Sequence, residues 1–292
     1  MKQAAWKARI KEVFMQAVFF IAACTSILAV ILICVFLFAN GLPAIGKIGP
    51  MEFLLGTRWK PGNNIFGILP FILGSIYVTA GAILIGVPIG ILTSIFMAYY
   101  CPKKIYRPLK AATELLAGIP SVVYGLVGML VLVPAIRKTF HLPDGASLFA
   151  AIIVLAVMIL PSIIKVSVTA LEAVPHEYED ASLALGATEV ETYFRVSVPA
   201  AKSGIAAAVV LGVGRAIGEA MAVMMVSGNV SNMPTSIFES VRFLTTAVAS
   251  EMSYSSGLQH QALFSIALVL YLFILLINAA LNFFLKRDKE GN

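Results

Sequence analysis

Charge is what this sequence has least of. Asp, Glu, Lys and Arg make up 12% of its 292 residues, where a soluble domain carries about 25%. A chain so poor in charge cannot clothe itself in a water-facing surface, which excludes an ordinary soluble enzyme or binding module. Cysteine is also scarce. Cys24, Cys34 and Cys101 are odd in number and lack metal-ligand spacing, so neither a disulfide framework nor a zinc site is supported. His141, His176 and His260 are scattered and make no metal site. In place of charge stands apolar surface: 60% of residues are hydrophobic and the mean hydropathy is +0.93. The net charge of +6 then needs no nucleic-acid partner, because membrane proteins collect Lys and Arg on one face of the bilayer.

A bilayer core needs roughly 20 helical residues to cross. Six runs reach that length: Val13–Ala39, Gly67–Ala98, Leu109–Ala135, Ala146–Ala170, Ser203–Val226 and Gln259–Leu285. An all-α integral membrane protein with six transmembrane helices is expected. Pro70, Pro88, Pro120 and Pro161 lie within these runs or at their ends and mark kinks or breaks. Ile21-Ala22-Ala23-Cys24 follows a basic start and looks like a lipoprotein cleavage site. The apolar run continues well past it, so an uncleaved first helix is expected. With alternating connections, fourteen Lys and Arg fall on one side and six on the other, which places both termini in the cytoplasm of a bacterial cell (inner) membrane.

The connection at 171–202, LEAVPHEYEDASLALGATEVETYFRVSVPAAK, holds six of the chain's fifteen acids. Glu177–Leu185 consists of helix formers and stops at Gly186, a favourable C-cap. Tyr178, Ala181, Leu185, Val190, Phe194 and Val196 add apolar positions. The segment reads either as a docking element or as a helix lying on the membrane surface. Its spacing resembles the cytoplasmic motif EAA-x3-G-x9-I-x-LP of permeases in ATP-binding-cassette (ABC) importers. Here it aligns as Asp180-Ala181-Ser182, Gly186 and Val196-x-Val198-Pro199, with Asp180 standing for the usual Glu and Glu179 beside it. The resemblance implies a type I ABC importer permease fold. It also implies that Glu179, Asp180, Ala181, Gly186 and Pro199 belong to a coupling helix seated in a separate ATPase. The chain has no G-x-x-x-x-G-K-[ST] loop, so ATP and Mg are expected on that partner and no cofactor on this chain.

TELLAGIPSVVYGL at 113–126, GVGRAIGEAMAVMMVSGN at 212–229 and FGILPFILGSIYVTAGAILIGVPIG at 66–90 are similar to the phosphate-specific permeases of that family. The position of RAIGE and the long loop at 230–258 lean toward the PstC type rather than PstA. That resemblance implies a PstA-like second permease, a PstB-like ATPase dimer and an external PstS-like phosphate-binding protein, within membrane lipid. The implied division is 1–66 for the amino-terminal segment, first helix and external loop, 67–285 for the transmembrane domain, and 286–292 for a cytoplasmic tail.

Arg215 and Glu219 are the charges inside the fifth run. An Arg at mid-bilayer costs about 2.5–3.5 kcal/mol on insertion scales and so faces a partner or a pathway. Spaced four apart, the two would share a face of a continuous helix and pair. Gly214 and Gly218 would let another helix approach closely on an adjacent face. The pair either lines or gates an anion route, with phosphate competing for the guanidinium, or is a structural ion pair. Ser121 and Tyr124, after Pro120, either line a cavity or pack a kink. Glu114 reads as interfacial rather than a proton relay. Ser227, Gly228 and Asn229 read as an outer gate or a plain helix end, and Met221, Met224 and Met225 as packing. The alternatives are a permease for another oxyanion (phosphonate, sulfate, molybdate) and a secondary transporter. The second predicts inverted repeats, of which the sequence shows none. A membrane enzyme would need a converging nucleophile, base and acid, which are also missing.

Overall fold

The computed structural model describes residues 2–290, with side chains placed for residues 11–281 and for Phe283. α1 (Lys2–Ile48) leads through α2 (Pro50–Leu55) into an antiparallel hairpin of β1 (Trp59–Lys60) and β2 (Ile65–Phe66). α3 (Leu69–Ile95) ends in a π-helical turn at Phe96–Tyr100. α4 (Lys103–Gly118) is followed by α5 (Ser121–Val127) and α6 (Val133–Phe140), the last two joined through a π-helical turn at Gly128–Leu132. α7 (Leu148–Glu172) precedes α8 (His176–Ala184), α9 (Glu189–Thr192) and α10 (Val198–Ala200). α11 (Lys202–Gly218), α12 (Met221–Val226), α13 (Leu244–Glu251) and α14 (Gly257–Glu290) complete the chain.

Five helical segments are long and apolar enough to cross a membrane, and a sixth is reached when Glu189–Ala200 and Lys202–Gly218, bent by 69°, are taken together. The chain is thus a multi-pass integral membrane protein. Two expectations change. The third span begins at Ser121 rather than Leu109. Lys103, Lys104, Arg107, Lys110 and Glu114 make α4 an amphipathic helix of its own, and Ile119, forced extended (φ −69°, ψ 128°) by the proline after it, ends it. The fifth span is not one helix, for α11 stops at Gly218 and α12 starts at Met221. The fold is all-α as expected, with one short hairpin that packs Trp59 and Phe66 with Phe53, Phe71, Leu244 and Leu263.

α7 is the central helix. Its Ile152, Ile159 and Ile163 fill space left by Gly81, Gly86 and Gly90 of α3, where any Cβ would stand 2.6–2.8 Å from the isoleucine carbons. On its other side α11 presents Gly204, Ala208 and Gly212, one per helical turn; Ala208 is fully buried, and a Cβ at Gly204 or Gly212 would strike Ala170 or Ile163. The close-packing seam within this chain is therefore Gly204, Ala208 and Gly212. Positions 214 and 218 face open space, with nothing within 4 Å. Without a hydrophobic driving force in lipid, such small-residue contacts supply the association. α1 packs along α14, where Gly41 backs onto Phe264 and Leu268, while Phe14, Phe19, Phe20 and Ile27 remain exposed for lipid.

The two ends of the bundle differ. At the start of α3, Glu251 accepts hydrogen bonds from Arg242, Trp59 Nε1 (3.1 Å) and Gln259 (3.0 Å), and Arg242 Nε also donates to the Asn229 carbonyl oxygen and Oδ1 (both 3.1 Å). The network ties the hairpin to the 229–259 segment. At the far end of α3, Ile95 is buried with Leu171, Val174 and Ala201.

Candidate functional site

Two helix breaks meet beside Arg215. α5 and α12 each begin at a break and pack together, a Cβ at Gly125 falling 2.9 Å from Ala222 Cα. Irregular backbone at membrane depth is tolerated only where protein or a water-filled cavity surrounds it. Here side chains satisfy part of it. Tyr124 donates its hydroxyl to the Leu116 carbonyl (2.7 Å), one of the orphan acceptors at the end of α4. Thr245 does the same for the Glu219 carbonyl (2.8 Å).

The break separates Arg215 from Glu219. Glu219 is extended (φ −73°, ψ 132°) rather than helical. Its carboxylate accepts from the Ala222 amide at 2.9 Å, satisfying a free N–H at the start of α12, where the backbone dipole favours negative charge. Arg215, partly buried, donates from Nη1 to Ser162 Oγ at 2.9 Å. Among the described residues the ion pairs are His176–Glu179 and Arg242–Glu251. The expected Arg215–Glu219 pair is thus corrected: Glu219 caps a helix and does not neutralise the arginine. A guanidinium has five N–H donors, so Arg215 keeps donors for an oxyanion. Ser121, partly buried, opens α5 just after Pro120. The structure thus brings Tyr124, Arg215 and Glu219 together around the breaks.

Sequence reasoning did not single out Ser162 or Thr245. Ser162 carried a faint signal, a hydroxyl directly after Pro161 in an apolar run; Thr245 carried none. An adjacent groove of about 420 Å3 between α5 and α7, edged by Tyr124, is walled by Val123, Val127, Val131, Val154 and Val157. With such walls it offers nothing to an ion. Ser227 is fully buried, and Asn229 takes a left-handed backbone while its side chain holds Arg242. These features belong to the end of the span and the network beyond it.

The second constellation is α8 with the turns that run from it to α11. No residue of α8 is buried; Tyr178 and, seven residues on, Leu185 at its C-terminal end, the latter 90% exposed, present apolar surface on one side of the helix. Gly186 ends the helix at φ +89°, a conformation that glycine adopts without cost. Glu179 turns inward: its Oε1 accepts from Ser197 Oγ (2.9 Å) and its Oε2 lies 3.6 Å from His176 Nδ1. Asp180 and Ala181 are exposed, as is Pro199 in α10. Ser182 and Thr192 share a hydrogen bond of 2.9 Å, and Tyr193 stacks on Tyr99 at 4.2 Å. Short polar and aromatic contacts thus connect α8 to the π-helical turn that follows α3.

Residues 90–288 match the family model described as the inner membrane component of binding-protein-dependent transport systems. A probable ABC transporter permease, YqgH of Bacillus subtilis, is 42% identical over 269 residues, covering 88% of this chain and 87% of that one. The phosphate transport system permease PstC of Mesorhizobium japonicum is 34% identical over 275 residues, 87% of this chain and 84% of that one. Among solved structures the MetNI methionine ABC transporter, in an inward-facing conformation, superposes with a TM-score of 0.58 at 20% identity. It covers 82% of this chain and 98% of that one, a likeness that establishes the fold. The chain belongs to the family of binding-protein-dependent transport system inner membrane components and has the fold of a type I ABC importer permease.

Proposed function

We propose that this chain is the PstC-type permease of an ATP-driven phosphate importer. As a member of its family it is a transport subunit rather than an enzyme, and it works with a separate ATPase and an external substrate-binding protein. The observation that carries phosphate is Arg215: a guanidinium between helix breaks, held by the neutral Ser162 rather than by a carboxylate. A planar fork of donors suits an oxyanion. The similarity to PstC chains over most of the length supports the same substrate class.

On this reading a PstA-like permease completes the pathway, and the open side of α11 at Gly214 and Gly218 leaves room for it. Two PstB-like ATPases bind ATP and Mg and receive α8 on the side that carries Tyr178 and Leu185. A PstS-like protein delivers phosphate at the opposite end. Both termini lie in the cytoplasm of a bacterial cell membrane, the orientation set by the distribution of Lys and Arg.

The test is ATP-driven uptake into liposomes that hold all four components, with arsenate and sulfate as competitors. Phosphate uptake suppressed by arsenate and indifferent to sulfate is expected. Uptake of sulfate, molybdate or a phosphonate in place of phosphate would assign the chain to another oxyanion.

A further inference from the structure

A second polar constellation lies one helical turn from Ser162 on the way to α8. Lys165 comes three residues after Ser162 on α7, and so shares its face. It borders a cavity of about 160 Å3 between α4 and α7 that Lys110, Thr113, Glu114 and Thr169 also line. Met97, Ile164 and Val168 close it with apolar surface. The space is several times the roughly 30 Å3 share of one water in the liquid.

The groups around the cavity differ in what they have left to give. Thr113 and Thr169 donate their hydroxyls to carbonyls of their own helices, Lys110 (2.8 Å) and Lys165 (3.0 Å), so neither has a proton to spare. Lys110 lies over the Tyr106 ring at 5.6 Å, and Tyr106 in turn is bonded to Glu172 (2.5 Å). Lys165 is different. It stands exposed on a helix apolar enough to cross a membrane, and no carboxylate among the described residues comes within 4.0 Å of it. A cation so placed faces a polar route or reaches for headgroups. Glu114, exposed on the opposite wall, brings an acceptor to the same cavity.

We infer that this cavity is an oxyanion site on the α8 side of Arg215, in which Lys165 donates to the anion and Glu114 accepts a hydrogen bond from its O–H. The inference rests on the phosphate reading above. Hydrogen phosphate satisfies both walls, because it carries charge for Lys165 and an O–H for Glu114. Sulfate has no proton to donate and is repelled by the carboxylate. A lipid phosphodiester lacks that proton too, which favours the free ion as occupant. Arg215, reaching α7 from α11 at Ser162, and Lys165 of α7 then stand as successive cationic steps, the second passing the anion toward the α8 end.

The test uses the whole transporter in liposomes loaded with an ATP-regenerating system and graded inorganic phosphate or sulfate, with labelled phosphate and binding protein outside. Internal phosphate is expected to inhibit uptake. Lys165→Gln is expected to raise the half-inhibiting concentration roughly tenfold, the equivalent of one good charged contact, and Lys165→Arg to leave it near wild type. Internal sulfate should inhibit Glu114→Gln but not the wild type, an arm that keeps the test open should Lys165→Gln not assemble. Identical half-inhibiting concentrations in wild type and Lys165→Gln would overturn the inference. So would a wild-type value that moves when phosphatidylglycerol is added to phosphatidylcholine liposomes, since the occupant would then be a headgroup. A wild type that imports no phosphate at all would instead remove the functional reading beneath it.

Discussion

Arg215 Nη1 lies 2.9 Å from Ser162 Oγ, a contact that joins α11 to α7 across 53 positions of sequence, next to the point where α11 ends. The serine holds the guanidinium without neutralising it. A hydrogen bond to a charged group contributes about 1.5–3 kcal/mol, so Ser162→Ala is expected to lower phosphate uptake by roughly tenfold or more. Ser162→Thr, which keeps the hydroxyl, should retain most of it. Equal uptake by Ser162→Ala and wild type would show that the serine does not position Arg215.

The inward turn of Glu179 and the outward turn of Asp180 separate two roles within the coupling segment. Glu179 holds Ser197 and so braces α8 against the π-helical turn Tyr193–Ser197. Asp180 and Leu185 face away from the chain. Leu185→Asp is expected to abolish co-purification of the ATPase while the permease stays folded. Glu179→Gln should keep the ATPase bound but weaken the link between ATP hydrolysis and uptake. Retention of the ATPase by Leu185→Asp would place the docking face elsewhere.

Glu239 gives the segment after α12 a dependence on pH. Its carboxylate accepts from Thr235 Oγ1 (2.7 Å) and from the amides of Thr235 (3.2 Å) and Ser236 (3.3 Å). The Thr235 hydroxyl is the largest influence holding its pKa below the ordinary 4.5. The depressed folded value means that the loosened segment binds the proton more readily. The contribution is fully present above pH 4.5 and is lost as pH falls through that value toward the lower folded one. Hydrogen exchange at the Thr235 and Ser236 amides, corrected for intrinsic rates, should accelerate over that acid window in the wild type and show no such step in Glu239→Gln.

Arg242 and Glu251 are both partly buried, with side chains 16% and 20% exposed. Removing one partner of such a pair strands the other's hydrogen bonds. Glu251→Gln is expected to cost about 2 kcal/mol and to lower the melting temperature of the detergent-solubilised chain by several degrees. An unchanged melting temperature would show that the network does not brace this end of the bundle.

How much of this could be read from the sequence depends on how far each feature reaches along the chain. The helix at 176–184 was legible because its signals are local: a run of helix formers and Gly186 at its end. The spans were legible as composition but not as continuity. Pro120 marked a break, yet the charges from Lys103 to Glu114 that make α4 a separate helix were absorbed into a loop and a span. The break after Gly218 has no proline, so spacing alone placed Arg215 and Glu219 on one helical face. What settles it lies elsewhere in the chain: Thr245 holds the Glu219 carbonyl and Ser162 holds Arg215. Such contacts leave no periodic trace. The seam within the chain was missed for a related reason, because Gly204, Ala208 and Gly212 repeat with the same spacing as Gly214 and Gly218, and only packing tells them apart.

The most direct test of Arg215 as a cation offered to the anion is the exchange of its charge with Glu219. Phosphate uptake is measured for Arg215→Glu, Glu219→Arg and the double variant in the reconstituted four-component transporter, with assembly checked by ATPase co-purification. Because Arg215 bonds Ser162 and Glu219 caps α12, the double variant is expected to be as inactive as either single change. Restoration of uptake to the wild-type level would contradict this, since it would mean that the two charges serve only each other.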